Sequence, residues 1–262
     1  MNPNELFEQM LSDQQLSEQD YQDFLETNSE LFYPAFELNH GFHLDIVLSK
    51  FPLDTALKTD FVYLTKSSAI WWVVLVEIEH PCKRLFNKDL SLSSDLNHAI
   101  TQIESWRIFC KRNGEQIKRK LAPLLNPLGR NSVEFKFVLV VGRSDELKSA
   151  ANADRFVQLQ QPDFRLLTFD SFYHGALSGG GNKKDIMTLV GQKFQYKVKN
   201  HDMSGIIHWL RAEHFDVSPA HLDEARLAGY PVDAWLKGDQ SSFIAKLEED
   251  FFDGLKESFN KK

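Results

Sequence analysis

The chain is expected to adopt an α/β (α+β) fold, a mixed sheet flanked by helices with a helical C-terminal appendage. Three observations point there. Short runs rich in Val, Ile, Phe and Trp recur between residues 42 and 199, helical periodicities separate them, and from His201 onward the pattern is helical throughout. At 262 residues and 42% hydrophobic content, the chain can bury one large core or a domain with an appendage. The expected division is a domain over 1–200 and a helical segment over 201–262.

The opening "NPNELFEQML" and "SEQDYQDFLETNSELF" carry Phe and Leu at helical spacing, with Asn4 and Ser17 as N-caps. "FHLDIVLSK" and "TDFVYLTK" read as strands. "IWWVVLVEIE", 70–79, reads as a strand buried on both faces, stopped by Pro81. Leu96, Ala99, Ile103, Trp106 and Cys110 recur at steps of three and four, describing one long amphipathic helix closed by Gly114. "VEFKFVLVVGR" is a further buried strand, Ser144 caps a helix beginning "DEL", and "FRLLTFD" is another strand, followed by helical "SFYHGAL". "SGGGNKKD" reads as a flexible loop and "KFQYKVK" as an edge strand. In the tail, Phe243, Leu247, Phe251, Leu255 and Phe259 form an aromatic stripe that either docks on its own domain or meets a partner.

Composition narrows the function classes. The start lacks a basic region followed by an apolar one, and the longest apolar run is too short for a membrane span, so a soluble cytoplasmic protein is expected, with no membrane partner. Cys82 and Cys110 show neither a disulfide framework nor CxxC spacing. Net charge is −7, unevenly spread: 1–50 holds 10 acids against one Lys, 51–200 holds 22 basic residues against 15 acids, and 201–262 holds 7 against 12. A basic middle between acidic ends suits contact with a polyanion, or is solvated surface. "SGGGNKK" lacks P-loop order, so no nucleotide cofactor is expected, and the histidines at 201, 208, 214 and 221 lack zinc-site spacing.

The chemistry concentrates at the end of the long apolar strand. If "TDFVYLTK" and "IWWVVLVEIE" form a hairpin turning at Ser68 and Ala69, Asp60 faces Glu77, and alternation brings Glu79 to the same side. Three carboxylates at one end of an apolar hairpin must be neutralised, paired or bound to metal. Mg²⁺, with Mn²⁺ as a substitute, suits oxygen ligands of this kind; the alternative is that the glutamates reach solvent or pair with Lys83 and Arg84.

Asp on one strand and Glu-x-(Lys or similar) at the end of the next resemble the PD-(D/E)xK nucleases, and Gln102 with Trp106 is similar to their helical Gln-x-x-x-Tyr element. More narrowly, "TDFVYL", "VVLVEIEHPCKRLF", "LNHAITQIESWRIF", "FVLVVGR" and "RLLTFDSF", in that order over roughly 15–180, resemble the catalytic domain of Shedu-type antiphage defence proteins. The resemblance implies a restriction-endonuclease-like sheet and a metal-dependent endonuclease hydrolysing phosphodiester bonds in duplex DNA. It also implies a homo-oligomer. Asp60 and Glu77, with the carbonyl of Ile78, then match the metal ligands, and Gln102 the orienting glutamine. Glu79 stands where Lys is common; it could accept a proton or hold a second metal, while Lys83 or His80 supplies the missing function. Without that function, the same fold is an inactive module binding nucleic acid or a protein. For DNA contact, Lys111, Arg112, Lys118, Arg119 and Lys120, with Arg143 after the next strand, are the expected phosphate-binding cations.

Overall fold

The structure, a computed structural model, describes residues 3–239 apart from His40, Pro127, Gly179 and Gly180, so the aromatic stripe over 243–259 lies outside the described residues. Eight strands form one mixed sheet: β1 (Ile46–Ser49), β2 (Phe61–Lys66), β3 (Ile70–Ile78), β4 (Ser132–Val140), β5 (Phe164–Leu167), β6 (Asp185–Val190), β7 (Lys193–Val198) and β8 (Phe215–Asp216). Their spatial order is β5-β4-β3-β2-β1-β6-β7-β8. The first three strands form an antiparallel meander, whereas β3, β4 and β5 run parallel and are joined by helical crossovers, as parallel neighbours require.

The helices are α1 (Pro3–Met10), α2 (Glu18–Thr27), α3 (Ser94–Leu121), α4 (Ala150–Gln158), α5 (Phe169–Ser178), α6 (Ser204–Trp209), α7 (Pro219–Leu227) and α8 (Val232–Leu236). They cover the sheet as two layers. On one face, Leu48, Val62, Val73 and Leu75 pack with the α3 stripe of Leu96, Ala99, Ile103, Trp106 and Cys110. On the other, Val47, Tyr63, Val74 and Val76 meet Phe7, Tyr21 and Leu25 from α1 and α2, and Phe172 from α5. Burying each such large side chain contributes about 1.5–3 kcal/mol. Apolar cover on both faces explains why β3 has no hydrophobic alternation.

Several elements depart from the expected pattern for identifiable reasons. The long helix breaks its regular geometry at Asn113, one residue before the expected stop at Gly114, but helical turns resume across this kink and run to Leu121. A Cβ on Gly114 would lie 3.2 Å from the Phe135 ring, so this glycine permits close packing on β4 instead of capping a helix. "DIMTLV", after the glycine-rich loop, is strand β6, which pairs parallel with β1 and extends the sheet. "KFQYKV" is therefore not the edge, because β8 pairs with β7 from within the segment expected to be wholly helical. That segment also joins the α3-side core through Met203, Ile206, Leu210, Val232 and Trp235. Asn4 lies inside α1, not before it, whereas Ser17 caps α2 in a reciprocal capping box with Asp20.

Candidate metal and active site

Strand register brings the acidic residues together. Phe61 pairs with Val76, so Asp60 and Glu77 are the next partners along the hairpin. On the other side, Ser49 pairs with Phe61, and the Lys50 amide donates to the Asp60 carbonyl at 2.8 Å. Lys50, Asp60 and Glu77 thus form one row across β1, β2 and β3, continuing the sheet face that carries Leu48, Val62 and Leu75. Glu77 shares the face of Leu75 and meets Gln102 of α3, and Lys50 and Asp60 pair beside it. They line a cleft of about 790 Å³ whose opposite wall includes Ser17, Glu18 and Gln22 of the α2 segment. Asp95, in the first turn of α3, also lines it.

Each group in the row has defined partners. Asp60 accepts from the Lys50 ammonium through Oδ1 at 2.8 Å and from the Ile78 amide through Oδ2 at 2.8 Å. Within a strand, the N–H and C=O of one residue point to the same neighbour. The Ile78 carbonyl therefore lies on the Asp60 side, and Ile78 lines the cleft. Glu77 Oε1 accepts from Gln102 Nε2, while Glu77 Oε2 is buried without a hydrogen-bond partner. Burial, reinforced by the nearby charges of Asp60 and Glu79, pushes the Glu77 carboxyl up to about 9. The free carboxyl thus holds a proton at neutral pH.

Glu79 behaves differently. Although alternation puts it on the Glu77 side, its carboxylate is held by Lys83, which also reaches Glu18 Oε1 at 2.6 Å. Glu79 is buried, and that burial raises its pKa while Lys83 pulls it down. The structure therefore brings Asp60, Glu77, Ile78 and Gln102 together, while Lys83, which with His80 lines the same cleft, bridges Glu79 to Glu18 of α2. The loop carrying Lys83 is fixed by Gly142, at φ 66°, where a Cβ would lie 2.9 Å from the Lys83 carbonyl. His80 is committed to the backbone: its Nδ1 accepts from the Cys82 amide at 3.0 Å, so Nε2–H donates to the Leu16 carbonyl at 2.8 Å.

The expected DNA-contacting cations divide into exposed and engaged groups. Lys111, Arg112 and Arg119 are exposed on α3. Lys118 pairs with Glu115 at 2.9 Å, and Lys120 donates to the Pro52 and Leu53 carbonyls. Arg143 grips Asp170 with Nε and Nη2 and donates to the Leu11 carbonyl, tying α1 to α5. Arg119 is 17 residues from Gln102 and lies beyond the kink at Asn113. Lys118, Arg119 and Lys120 therefore sit towards the end of α3 away from Gln102, Lys111 and Arg112 lie midway, and Arg143, off this helix, lies near Cys82 at the cleft.

Sequence reasoning missed Lys50, Gln22 and Asp95. Lys50 was legible only through the pairing of β1 with β2, and Gln22, 2% exposed with Nε2 unpartnered, only through the packing of α2. Lys50 also holds φ 50°, a left-handed backbone costing a non-glycine residue about 1–2 kcal/mol.

A metal fits the donor set. Glu77 Oε2 is an unpartnered buried oxygen, Asp60 lies beside it, and the Ile78 carbonyl faces the same space. Mg²⁺ commonly takes one or two carboxylates and leaves its other positions to water and phosphate. Among the described residues, no group of three or more His, Cys, Asp or Glu side chains is placed to hold an ion, so a protein-only cage is not what is built. Both cysteines are free, and no helix among the described residues is long and apolar enough to cross a membrane.

Fold and site together define an α/β protein with an acidic cleft at the end of a mixed sheet, where Asp60 and Glu77 stand side by side. A family description, Shedu protein SduA, C-terminal, matches residues 15–173, which span every element of the row and cleft wall named above. The chain belongs to the Shedu family, and that membership points to antiphage defence. No curated protein matches the chain.

Proposed function

We propose that the protein is a metal-dependent endonuclease of the PD-(D/E)xK type that cleaves duplex DNA in antiphage defence. The observation that carries this reading is the buried, unpartnered Glu77 Oε2 beside Asp60 at the mouth of a solvent-open cleft. An unpaired buried carboxyl is costly, and such sites are where perturbed ionisation accompanies function. Asp60, Glu77 and the Ile78 carbonyl would hold Mg²⁺ or Mn²⁺, which would polarise the phosphodiester and acidify an attacking water.

The chain's own groups have separable roles in this reading. Gln102 holds the Glu77 carboxyl through Oε1 and leaves Oε2 free for an ion, and the Ile78 amide fixes Asp60. Ion binding must displace the Glu77 proton, so affinity rises with pH. Exposed Lys111, Arg112 and Arg119, with Lys118, neutralise backbone phosphates along α3, while Arg143 and Lys120 mainly hold the fold. The basic excess over 51–200 supports a polyanionic partner.

One observation favours the second reading, a nuclease-fold protein that binds nucleic acid or protein without cutting: position 79 is Glu, and its carboxylate is bound to Lys83. Incubating wild type and Glu77→Ala with supercoiled duplex DNA and Mg²⁺ or Mn²⁺ separates the two. Metal-dependent nicking by wild type alone supports the nuclease; DNA binding without nicking in either metal supports the second reading.

A further inference from the structure

We propose that Lys50 is the catalytic cation of this site, contacting the scissile phosphate in place of the lysine that position 79 lacks. The inference rests on the nuclease reading above and extends it to a residue outside the acidic motif. Its first support is position: directly after β1, the Lys50 amide donates to the Asp60 carbonyl and its ammonium to Asp60 Oδ1, each at 2.8 Å, and Lys50 lines the same cleft as Asp60 and Glu77.

The second support is charge balance. Lys83 lines the cleft too, but it is bridged by two carboxylates, Glu79 and Glu18, so its charge is spent within the protein. Lys50 has one ion-pair partner among the described residues, Asp60, and its own side chain is 41% exposed. When Asp60 turns an oxygen to a divalent cation, the ammonium loses part of its internal partner and faces the cleft with unspent positive charge. Hydrolysis joins the water oxygen to phosphorus and breaks one ester P–O bond. One water proton goes to the leaving oxygen, and the other stays on the new monoester until it ionises. Lys50 enters this balance only as a charge, stabilising the oxygens that become more negative.

The third support is backbone strain. Lys50 sits at φ 50°, where Gly or Asn is more comfortable. A long cationic side chain kept in a strained conformation beside a cleft leads from an observed outlier to a functional role.

The test compares wild type, Lys50→Met, Lys50→Asn and Lys50→Arg in full-length protein, measuring Mn²⁺ binding by calorimetry and cleavage of a short duplex. Asn suits the left-handed backbone, so it guards against loss of fold. The expected result is Mn²⁺ affinity equal to wild type or up to about tenfold tighter, because a competing cation has gone. Cleavage by the Met and Asn variants falls about 100- to 1,000-fold, and Arg recovers most of it. Wild-type cleavage rates in Lys50→Met overturn the role of Lys50 alone. Loss of Mn²⁺ binding together with cleavage also overturns it, since the residue then serves the metal site. A wild type that binds Mn²⁺ but cuts nothing overturns the nuclease reading and this inference with it.

Discussion

Replacing Glu77 with Gln should stabilise the metal-free protein while abolishing the proposed Mn²⁺ binding. Glu77 is buried, bonds Gln102 through one oxygen and leaves the other unpartnered. Its carboxyl rises from the ordinary 4.5 to about 9, chiefly through burial. A raised folded-state pKa leaves stability intact below the unfolded value, and stability is lost progressively as pH rises through the window from 4.5 to about 9. At pH 7 the protein has traversed some 2.5 units of that window, on the order of 3 kcal/mol at 1.36 kcal/mol per unit. Gln keeps the shape, can still accept from Gln102 and carries no charge. Melting in EDTA should therefore show variant and wild type alike near pH 5, with the variant higher by roughly 5–10 °C at pH 7 and the gap widening towards pH 9. Adding Mn²⁺ should raise the melting temperature of wild type only. Parallel melting curves across this pH range would refute the claim that Glu77 is an electrostatically strained, buried acid.

Three further outcomes follow from particular side chains. Gln102→Ala, which removes the hydrogen bond that holds Glu77 Oε1, should weaken Mn²⁺ binding by about 10- to 100-fold in calorimetry while leaving the fold intact. Arg143→Ala should cost about 1–2 kcal/mol in urea denaturation, a modest figure because its pair with Asp170 is partly hydrated. The same pair holds the Asp170 carboxyl at about 2, against the opposing effect of burial, so the stability it adds is present above about pH 4 and fades as pH falls towards 2; in Arg143→Ala that acid sensitivity should shrink. Replacing Lys111, Arg112 and Arg119 with Ala should flatten the dependence of log DNA affinity on log salt by about one unit for each phosphate that is no longer neutralised, and an unchanged slope would remove this face of α3 from the interface.

Much of the site's frame was readable in the sequence because it depends on local periodicity. The hairpin turn at Ser68 and Ala69 is short, and two residues equally far from a short turn must pair; this puts Asp60 opposite Glu77. The α3 stripe was equally legible, since steps of three and four are intrinsic to a helix, and Gln102 follows from it. What was hidden depends on distant pairing. Lys50 joins the row only because β1 pairs with β2 across a loop with no periodic signal. β6 was obscured by the glycine- and lysine-rich stretch before it, and β8, two residues long, exists only because β7 offers a free edge. The fate of Glu79 turned on a loop lysine meeting Glu18 from α2, a bridge between residues 65 apart. Gly114 was misleading because a glycine that ends a helix and one that lets a helix lie against an aromatic ring look alike in a sequence.

The most direct test is a crystal grown metal-free, soaked in Mn²⁺ and measured at the manganese absorption edge. A single anomalous peak within bonding distance of Asp60, Glu77 Oε2 and the Ile78 carbonyl is expected. No peak in this cleft at saturating Mn²⁺, with Lys50 still on Asp60 and Glu77 still facing an empty space, would contradict the two-carboxylate metal site.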